Sequence, residues 1–499
     1  MSSDATRSAS PVEQWGVFET ALRGPAEGNP FTDVTFSAVF RQGERAFPVT
    51  GFYDGDGVYR LRFMPDATGE WHYETRGNRP ELDGRSGTFT ALAPSAGNHG
   101  PVRVRDSFHF IHADGTPFIP FGTTCYAWIH QSGALQRQTL QTLAGAPFNK
   151  LRMCILPKWY PFNHVEPERY PFEGTPPRQW DFARFNPAFF RHLDTCVADL
   201  CTLGIEADLI LFHPYDEDRF GFHREHCEVH WGFDRMGEAN DDRYLRYVIA
   251  RYAAYRNVWW SLANEWDFVK PKQPSDWLRL GGIIQAEDPH RRLASIHNGG
   301  CDFDHAQPWI THCSLQKPHT DGARAYRDRY RKPVIYDECH YEGNIPQSWG
   351  NLTAEKMVAQ FWSAWINGAY CGHGETYLAP DEVLWWSKGG VLRGRSPACL
   401  AFMKTLLADA PSNGAPMNPP YWETWGVPDE YYLVHLHEQQ PAKWKIRLSG
   451  DNARFKASLI DPWAMTIAPL GEFHGDAELD LPPGRTHLVL RFVRVHHTH

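Results

Sequence analysis

Two acidic residues, Glu265 and Glu338, each follow a short apolar run in this sequence of 499 residues. The run 258–263 leads directly into Asn264 and Glu265, and the run 334–336 lies two residues before Glu338. Runs of this length and composition are typical of strands that are buried on both faces. In a barrel of parallel strands, the carboxyl ends of the strands carry the chemistry. The two glutamates are therefore the candidate reactive pair.

A pair of carboxyl groups is what the hydrolysis of a glycosidic bond requires. One group stays protonated and gives its proton to the leaving oxygen, while the other is ionised. When the two groups are about 5 Å apart, the ionised one attacks the anomeric carbon and the configuration is retained. Three tryptophans, Trp259, Trp260 and Trp266, lie close to Glu265 in the sequence, and an apolar setting raises the pKa of a carboxyl group. The working hypothesis is therefore a retaining glycosidase.

The middle of the chain, residues 102–410, alternates between strand-like apolar runs and stretches with helical periodicity. In 188–203 and in 355–366 the apolar residues recur at helical spacing. Eight such runs predict a (β/α)8 TIM barrel, in which strands four and seven lie on opposite sides of the mouth. Glu265 and Glu338 would then face each other across a bound sugar. The predicted strands are 118–121, 150–155, 207–212, 258–262, 293–296, 309–313, 334–336 and 369–371.

The segments on both sides of the predicted barrel have the period-two pattern of β-strands. Residues 12–97 contain short alternating runs separated by turns rich in glycine and aspartate, which predicts an Ig-like β-sandwich. Residues 417–495 show the same alternation and predict a small C-terminal β-sandwich. Residues 1–11 are predicted to form a disordered tail. The predicted fold class is a multidomain chain with a TIM barrel between two β-domains.

Composition excludes several classes of function. The formal net charge of -9 and the absence of a lysine or arginine run argue against nucleic-acid binding. No window approaches the roughly 18 apolar residues of a membrane span, so no membrane association is expected. The first residues contain no apolar segment, and the ten cysteines form no CxxC pair, which together favour reduced thiols in a cytoplasmic protein. A homo-oligomer is compatible with this composition.

Several motifs resemble those of clan A of the retaining glycoside hydrolases. The motifs are Asn264-Glu265 after one apolar strand and Asp337-Glu338 after a second. Residues 12–19 (VEQWGVFE) resemble the start of an Ig-like domain ahead of bacterial cellulase-like proteins, 118–128 (FIPFGTTCYAW) the first strand of apiosidase-like barrels, and 460–466 (IDPWAMT) the small β-domain that closes such chains. The resemblance implies that Glu265 is the acid/base and Glu338 the nucleophile, with no cofactor and no metal.

Other predicted strand ends and loops supply candidate substrate contacts. Polar side chains there could bind sugar hydroxyls, and flat rings could stack on sugar faces. The resemblance implies that Arg152 supports the nucleophile, whereas the tyrosine that this clan often carries near the end of strand six is absent. The hydrogen-bond partner of Glu338 is therefore not assigned. The candidate contacts are Trp128, Arg152, His213, Asn264, His297, Gln316, His319, His373, Glu375 and Trp386.

The expected activity is exo-cleavage of plant- or microbe-derived oligosaccharides, because a protein without a secretion signal would meet short imported sugars. Two alternatives remain open. One is a barrel that binds carbohydrate without cleaving it, although both expected glutamates are present. The other is a metal-dependent TIM-barrel hydrolase that uses His213, His297, His312 or His373, although no metal-ligand spacing repeats in the sequence.

Overall fold

The centre of the protein is an eight-stranded parallel sheet, here β1 to β8, which confirms the predicted barrel. The structure is a computed structural model and describes residues 11–216, 230–380, 382, 384–417, 422–447 and 453–496, so the predicted tail lies outside the described residues except for Pro11. A backbone bridge between His297 and Ser314 closes the sheet between β5 and β6. The strands are β1 Phe121–Thr124, β2 Lys150–Cys154, β3 Glu206–Phe212, β4 Val258–Ala263, β5 Ala294–Ser295, β6 Cys313–Gln316, β7 Val334–Glu338 and β8 Tyr370–His373.

Helices on the outside of the barrel cover the strands. Their apolar faces are buried, as Phe189, Leu193 and Val197 show for the second of them. Residues 297–312, between β5 and β6, are described throughout and contain no helix, so the alternation of strand and helix is interrupted once. The barrel helices are Gly133–Ala144, Pro187–Thr202, Glu238–Tyr252, Pro274–Glu287, Ala323–Tyr330, Ala354–Ile366 and Ser396–Ala408.

Three predicted strands lie too early in the chain. The predicted strand 118–121 is split, because Pro117–Phe118 pairs with another sheet and β1 begins only at Phe121. The predicted strand 309–313 ends at the residue where β6 begins, and the predicted strand 369–371 covers only the first half of β8. In each case the strand extends into polar residues that the barrel buries, such as Thr123 and Ser314. An apolar run therefore marks only the first half of such a strand.

The N-terminal domain consists of two facing layers around an aromatic core, and its strands are antiparallel except for Val12–Glu13, which pairs in parallel with Ser86–Leu92. Phe18 stacks on Phe89 with ring centroids 3.8 Å apart, and Phe40 stacks on Phe63 at 4.4 Å. These rings come from alternating positions of strands in both layers, as the period-two pattern requires. The five-stranded layer contains Val12–Glu13, Ser86–Leu92, Gly69–Gly77, Phe36–Gln42 and Arg45–Thr50, and the three-stranded layer contains Phe18–Arg23, Val58–Phe63 and Phe52–Tyr53.

Buried ion pairs connect this domain to the barrel. Arg251, on a barrel helix, donates to Asp54 of the N-terminal domain at 2.9 Å and to Asp194 of a second barrel helix at 2.6 Å. Arg62 of the N-terminal domain donates to the same Asp194 at 2.8 Å. Each of these four charges therefore has a partner from the other domain.

The C-terminal domain is also built of β-strands, as predicted. It contacts the barrel helix Ala354–Ile366 through Trp425, whose ring lies 5.0 Å from that of Trp365. Residues 418–421 and 448–452 lie outside the described residues. The larger sheet contains Ala415–Met417, Thr424–Val427, Tyr431–His435, Val489–Arg494, Arg454–Asp461 and Thr466–His474, and the smaller one contains Lys443–Arg447 and Asp476–Asp480.

Two sequence expectations concern the whole chain. Within the part that the structure describes, no helix combines the length and the apolar character needed to cross a bilayer. The nine cysteines in that part are free thiols. The location of the protein in the cell stays a prediction.

Candidate active site

Glu265 stands at the carboxyl end of β4, where the backbone leaves the sheet. Every residue of Val258–Ala263 is buried, and Glu265 follows Asn264 with a φ of 50°, in the left-handed region. This conformation costs about 1 kcal/mol or more for a residue other than glycine and is typical of functional sites. The amide oxygen of Asn264 accepts hydrogen bonds from Arg152 at 2.7 Å and from the Tyr126 hydroxyl at 3.3 Å. Asn264 is thus fixed just before the turn that presents Glu265.

Glu338 ends β7, and the phenol of Tyr126 donates a hydrogen bond to its carboxylate. Tyr126 comes from the loop after β1, so it contacts both Asn264 and Glu338 and ties the two strand ends together. The Tyr341 hydroxyl approaches the same carboxylate. His297 Nδ1 lies 3.9 Å from Glu338 Oε1, too far for a hydrogen bond. Tyr126 therefore fills the role for which the sequence offered no residue near strand six.

The two glutamates share one cleft and influence each other. Burial, and next the charge of Glu338, raise the pKa of Glu265 to about 7, while Tyr215 and Lys158 act in the opposite direction. A carboxyl group with this pKa holds a proton at neutral pH and can release it, as a general acid must. Glu338, by contrast, accepts a hydrogen bond from the Tyr126 phenol. The surroundings of the two carboxyl groups therefore differ, as the division between a proton donor and a nucleophile requires.

Beneath the cleft lies a buried layer of four charged side chains. Lys150 donates to Asp208 at 2.6 Å and to Asp337 at 2.7 Å, and Arg152 lies 3.3 Å from Asp337 and 3.6 Å from Asp208. Burial alone would raise the pKa of Asp337, but Lys150 and Arg152 more than offset this effect and hold it well below its usual range. The layer contains two cations and two anions and is neutral as a unit.

Lys150→Met should destabilise the barrel by about 3–5 kcal/mol at pH 7, because it leaves two buried carboxylates with a single cation. The sign with pH follows from Asp337: its lowered pKa gives stability that is fully present above the unfolded value of about 3.9, declines as the pH falls below that value, and is lost once the pH passes the folded pKa. The penalty should therefore shrink below about pH 4. Urea denaturation at several pH values measures both effects.

The matched control is Lys356→Met, on the exposed face of a barrel helix. A surface substitution of this kind changes the free energy of unfolding by no more than about 0.5 kcal/mol. Equal losses in the two variants would contradict the structural role assigned to Lys150.

The cleft over the two glutamates has a volume of about 450 Å³, and seven of its seventeen lining residues are Tyr, Phe or Trp. Rings of this kind offer flat apolar faces with a polar edge, which suits the alternating faces of a sugar. Gln316 and Trp386, both predicted contacts, lie on these walls. The described lining residues are Tyr160, Pro161, Phe162, Tyr215, Glu265, Phe268, Gly299, Gln316, Lys317, Pro318, Glu338, His340, Tyr341, Gln347, Ser348, Trp349 and Trp386.

Three further predicted contacts lie near the cleft without lining it. Asn264 is held behind Glu265 by Arg152 and Tyr126. His297 lies beside Glu338, and burial with the charge of Arg152 keeps its pKa well below the usual value, so the ring is neutral. His319 is exposed. Substrate contact by these three residues stays a prediction.

Five predicted contacts are positioned away from the cleft, and each has a structural partner instead. Trp128 is buried and its indole N–H points at Met153 Sδ, 2.9 Å away. Arg152 belongs to the charged layer described above. None of the five lines the cleft, because strand-end and loop residues of a barrel can turn inward as well as upward, and substrate contact by these residues stays a prediction.

The other three of these residues make hydrogen bonds to loops and to a neighbouring strand. His213 Nε2 lies 3.1 Å from the Leu156 carbonyl oxygen, and burial lowers its pKa to about 3. His373 Nδ1 lies 3.0 Å from the Thr123 hydroxyl. Glu375 accepts backbone N–H groups from Arg393 and Gly394. Each side chain is therefore engaged inside the protein.

One cluster of potential metal ligands bears on the metal-dependent alternative. Among the described residues, Glu342, His373 and Glu375 bring potential ligand atoms within 4.8 Å of one another. None of the three lines the cleft, and the two carboxylates accept backbone N–H groups of residues 393–396. This group therefore does not coincide with the glutamate pair.

Several residues of the site were not identified from the sequence. Tyr126 follows the end of β1 by two residues, and Lys158 and Tyr160 follow the end of β2 by four and six. Phe162 and Trp349 come from the loops after β2 and β7. The strand-end rule would have reached Tyr126 if β1 had been placed correctly, whereas the loop residues carry no periodic signal.

Three family models match the chain in order. The model described as "Apiosidase-like, catalytic domain" matches residues 105–391, more than half of the chain. Two domains of unknown function flank it, DUF5060 at residues 11–78 and DUF5605 at residues 421–493. No curated protein matches the sequence.

Solved structures match over most of the chain. A crystal structure of a candidate glycoside hydrolase from Bacteroides vulgatus ATCC 8482 is 39% identical, with a TM-score of 0.90 over 98% of this chain and 100% of that one. A glycoside hydrolase family 5 structure from the same organism shares only the fold, with 16% identity and a TM-score of 0.62 over 79% of this chain and 94% of that one. The chain therefore belongs to the apiosidase-like family, and its central barrel is a clan A glycoside hydrolase-like catalytic domain with a β-domain on either side.

Proposed function

We propose that the protein is a retaining, exo-acting glycosidase that removes a terminal sugar from plant- or microbe-derived oligosaccharides. The observation that carries the proposal is the pair of buried glutamates at the ends of β4 and β7, in one aromatic cleft and in different environments. Glu265 gives its proton to the leaving oxygen while Glu338 attacks the anomeric carbon. Water, activated by the deprotonated Glu265, then hydrolyses the glycosyl-enzyme.

The cleft supports short substrates. Its volume falls in the range of sites that enclose one small ligand, and a terminal sugar with its neighbour would fill it. Because the matching family is named for apiosidases, terminal apiose is the first sugar to test.

A panel of aryl glycosides, including apiosides, arabinosides, xylosides and glucosides, tests the activity. NMR of the first product should show the configuration of the substrate. An inverted product would contradict the two-step mechanism, and activity that disappears in chelator would favour the metal-dependent alternative. If no glycoside is cleaved while Glu338→Ala binds oligosaccharide like the wild type, the barrel is a carbohydrate-binding protein.

A further inference from the structure

Lys158, in the loop after β2, holds its ammonium group inside a cage of aromatic rings. Its Nζ lies 3.6 Å from the ring centroid of Tyr126, 4.0 Å from Tyr215, 4.3 Å from Tyr160 and 5.4 Å from Trp386. The side chain is 1% exposed. Faces of aromatic rings attract a cation, and the attraction increases when the cation is removed from water. The cage therefore stabilises a charge at a position where solvent cannot.

No carboxylate in the described part of the chain lies within ion-pair distance of Lys158, and its ammonium makes no hydrogen bond there. The backbone is fixed nevertheless: the Lys158 carbonyl accepts from Asn163 at 2.8 Å, and the next residue, Trp159, donates its N–H to the Tyr215 carbonyl at 3.0 Å. A buried ammonium without a direct counter-ion is costly. Its position is therefore one that the fold maintains at the expense of stability.

The charges that face Lys158 are those of the reactive pair. Glu265 and Glu338 both interact electrostatically with it, and both line the cleft whose wall includes three rings of the cage. The remaining titratable neighbours are Cys154, Arg152, His213, Tyr126, Tyr160 and Tyr215. Burial raises the pKa of the Cys154 thiol to about 12 and of the three phenols further, and lowers that of His213, so these groups are neutral at pH 7.

The balance of charges in the cleft and in the layer below it indicates the role of Lys158. Lys150 and Arg152 are matched by Asp208 and Asp337 in the layer below, so that layer offers no surplus cation to the cleft. Lys317, which lines the cleft, pairs with Asp302 at 2.7 Å. Two glutamates and Lys158 remain. If one glutamate carries a proton, the remaining carboxylate and Lys158 cancel, and the site is neutral in the state from which catalysis starts.

We propose that Lys158 is a positioning residue that serves as the counter-cation of the glutamate pair, allowing it to hold one negative charge and one proton. It acts across the aromatic wall and does not touch the sugar. Burial lowers the pKa of Lys158, and the two glutamates act in the opposite direction, so the charge of the lysine depends on the pair that it balances. This inference rests on the proposed function for its catalytic consequence.

Lys158→Met tests the proposal because it keeps the length of the side chain and removes the charge. Without the cation the pair binds protons more tightly, so both limbs of the pH profile of kcat/KM should move to higher pH by about one unit or more. Lys158→Arg keeps the charge and should leave the limbs in place. A purely structural lysine would lower the rate at all pH values without moving either limb, and that result would overturn the proposal.

Lys272→Met is the matched control. Lys272 is also buried, lies 5.0 Å from the ring of Phe212 and pairs with Asp241, but it does not line the cleft. Its substitution should lower stability and leave both limbs unmoved. A shift equal to that of Lys158→Met would show that any lost buried cation moves the profile.

A double-mutant cycle tests the counter-cation without using activity. Thermal unfolding is compared for the wild type, Lys158→Met, the variant Glu265→Gln/Glu338→Gln and the variant that carries all three substitutions. The drop in Tm caused by Lys158→Met should become smaller or reverse in the Glu265→Gln/Glu338→Gln background, where neither side chain of the pair is a carboxylate. Equal drops in both backgrounds would overturn the proposal. If Lys158→Met folds only in the background without the two carboxylates, the proposal is supported, and if it folds in neither background, Lys158 is required for folding alone and the proposal is wrong.

The proposed glycosidase function and the proposed role of Lys158 are contradicted by different results. If the wild type cleaves no glycoside in the panel, the proposed function fails, and the unfolding cycle still decides whether Lys158 balances the charge of the glutamate pair. If hydrolysis is found but the limbs do not move and the cycle is additive, only the role of Lys158 is wrong.

Discussion

Glu338→Gln should lower kcat for every substrate by about 10⁴-fold or more, because an amide cannot attack the anomeric carbon. The substitution changes little else. An amide has nearly the shape of a carboxyl group, and Tyr126 can still donate its hydrogen bond to the remaining carbonyl oxygen. Loss of the nucleophile removes both steps of a double displacement, so the quality of the leaving group should not rescue the rate. Single-turnover kinetics with a dinitrophenyl glycoside should show no burst.

The smaller variant Glu338→Ala adds a positive test of the same assignment. It opens space beside the anomeric carbon for a small anion such as azide. If Glu338 is the nucleophile, azide should restore turnover of activated substrates and give a glycosyl azide of inverted configuration. A hydrolysis rate that azide leaves unchanged would contradict the assignment.

Glu206→Gln is the matched control for Glu338→Gln. Glu206 is also buried in the barrel, where burial raises its pKa to about 7, and it accepts a hydrogen bond from the Trp259 indole at 2.7 Å. It begins β3 at the opposite end of the barrel from the cleft. Activity should stay within about twofold of the wild type, since barrel-bottom residues affect stability rather than chemistry. A loss comparable to that of Glu338→Gln would show that removing any buried carboxyl group disturbs the site.

The sequence was sufficient for the barrel and the candidate pair because both depend on local signals. Val258–Ala263 is almost wholly apolar because β4 is buried on both faces, and Asn264 and Glu265 interrupt this pattern directly after the strand ends. The same holds for Glu338 at the end of β7. A change from apolar to acidic at a strand end is visible without any knowledge of tertiary contacts.

The partners of the pair depend on contacts that sequence spacing does not encode. Tyr126 and Glu338 are 212 positions apart, and their hydrogen bond exists only because β1 and β7 are both neighbours of β8. Polar residues such as His373 looked like substrate contacts because polar side chains are usually exposed. Inside the barrel, however, His373 is buried with its Nδ1 beside the Thr123 hydroxyl, so its polarity says nothing about access to the cleft.

The environment of Lys158 is a second feature that sequence spacing does not encode. A lone lysine in an aromatic, proline-rich loop reads as a surface residue, since lysine is rarely buried without a partner. The cage that makes its burial tolerable is assembled from the loops after β1, β2, β3 and β8. Only the folded structure brings these rings together.

Glu265→Ala should affect substrates according to their leaving groups, and this dependence identifies the acid. An aryl glycoside with a dinitrophenolate leaving group needs no proton, so formation of the glycosyl-enzyme should stay close to the wild-type rate. A substrate with a poor leaving group, such as methoxyphenol or a second sugar, should lose about 10²–10⁴-fold. The glycosyl-enzyme should accumulate with the activated substrate, because no base remains to activate water, and intact-protein mass spectrometry would detect it.

The pH profile supplies the second half of this prediction. Burial and Glu338 raise the pKa of Glu265 to about 7, so the protonated acid is present below that pH and is lost above it. Wild-type kcat/KM for a poor leaving group should therefore fall above about pH 7, and Glu265→Ala should lose this limb. With the activated substrate the wild type should lack the limb as well, since that step needs no proton. A limb that persists in Glu265→Ala would assign the titration to another group, and an equal loss with both substrates would mean that Glu265 positions the sugar without protonating it.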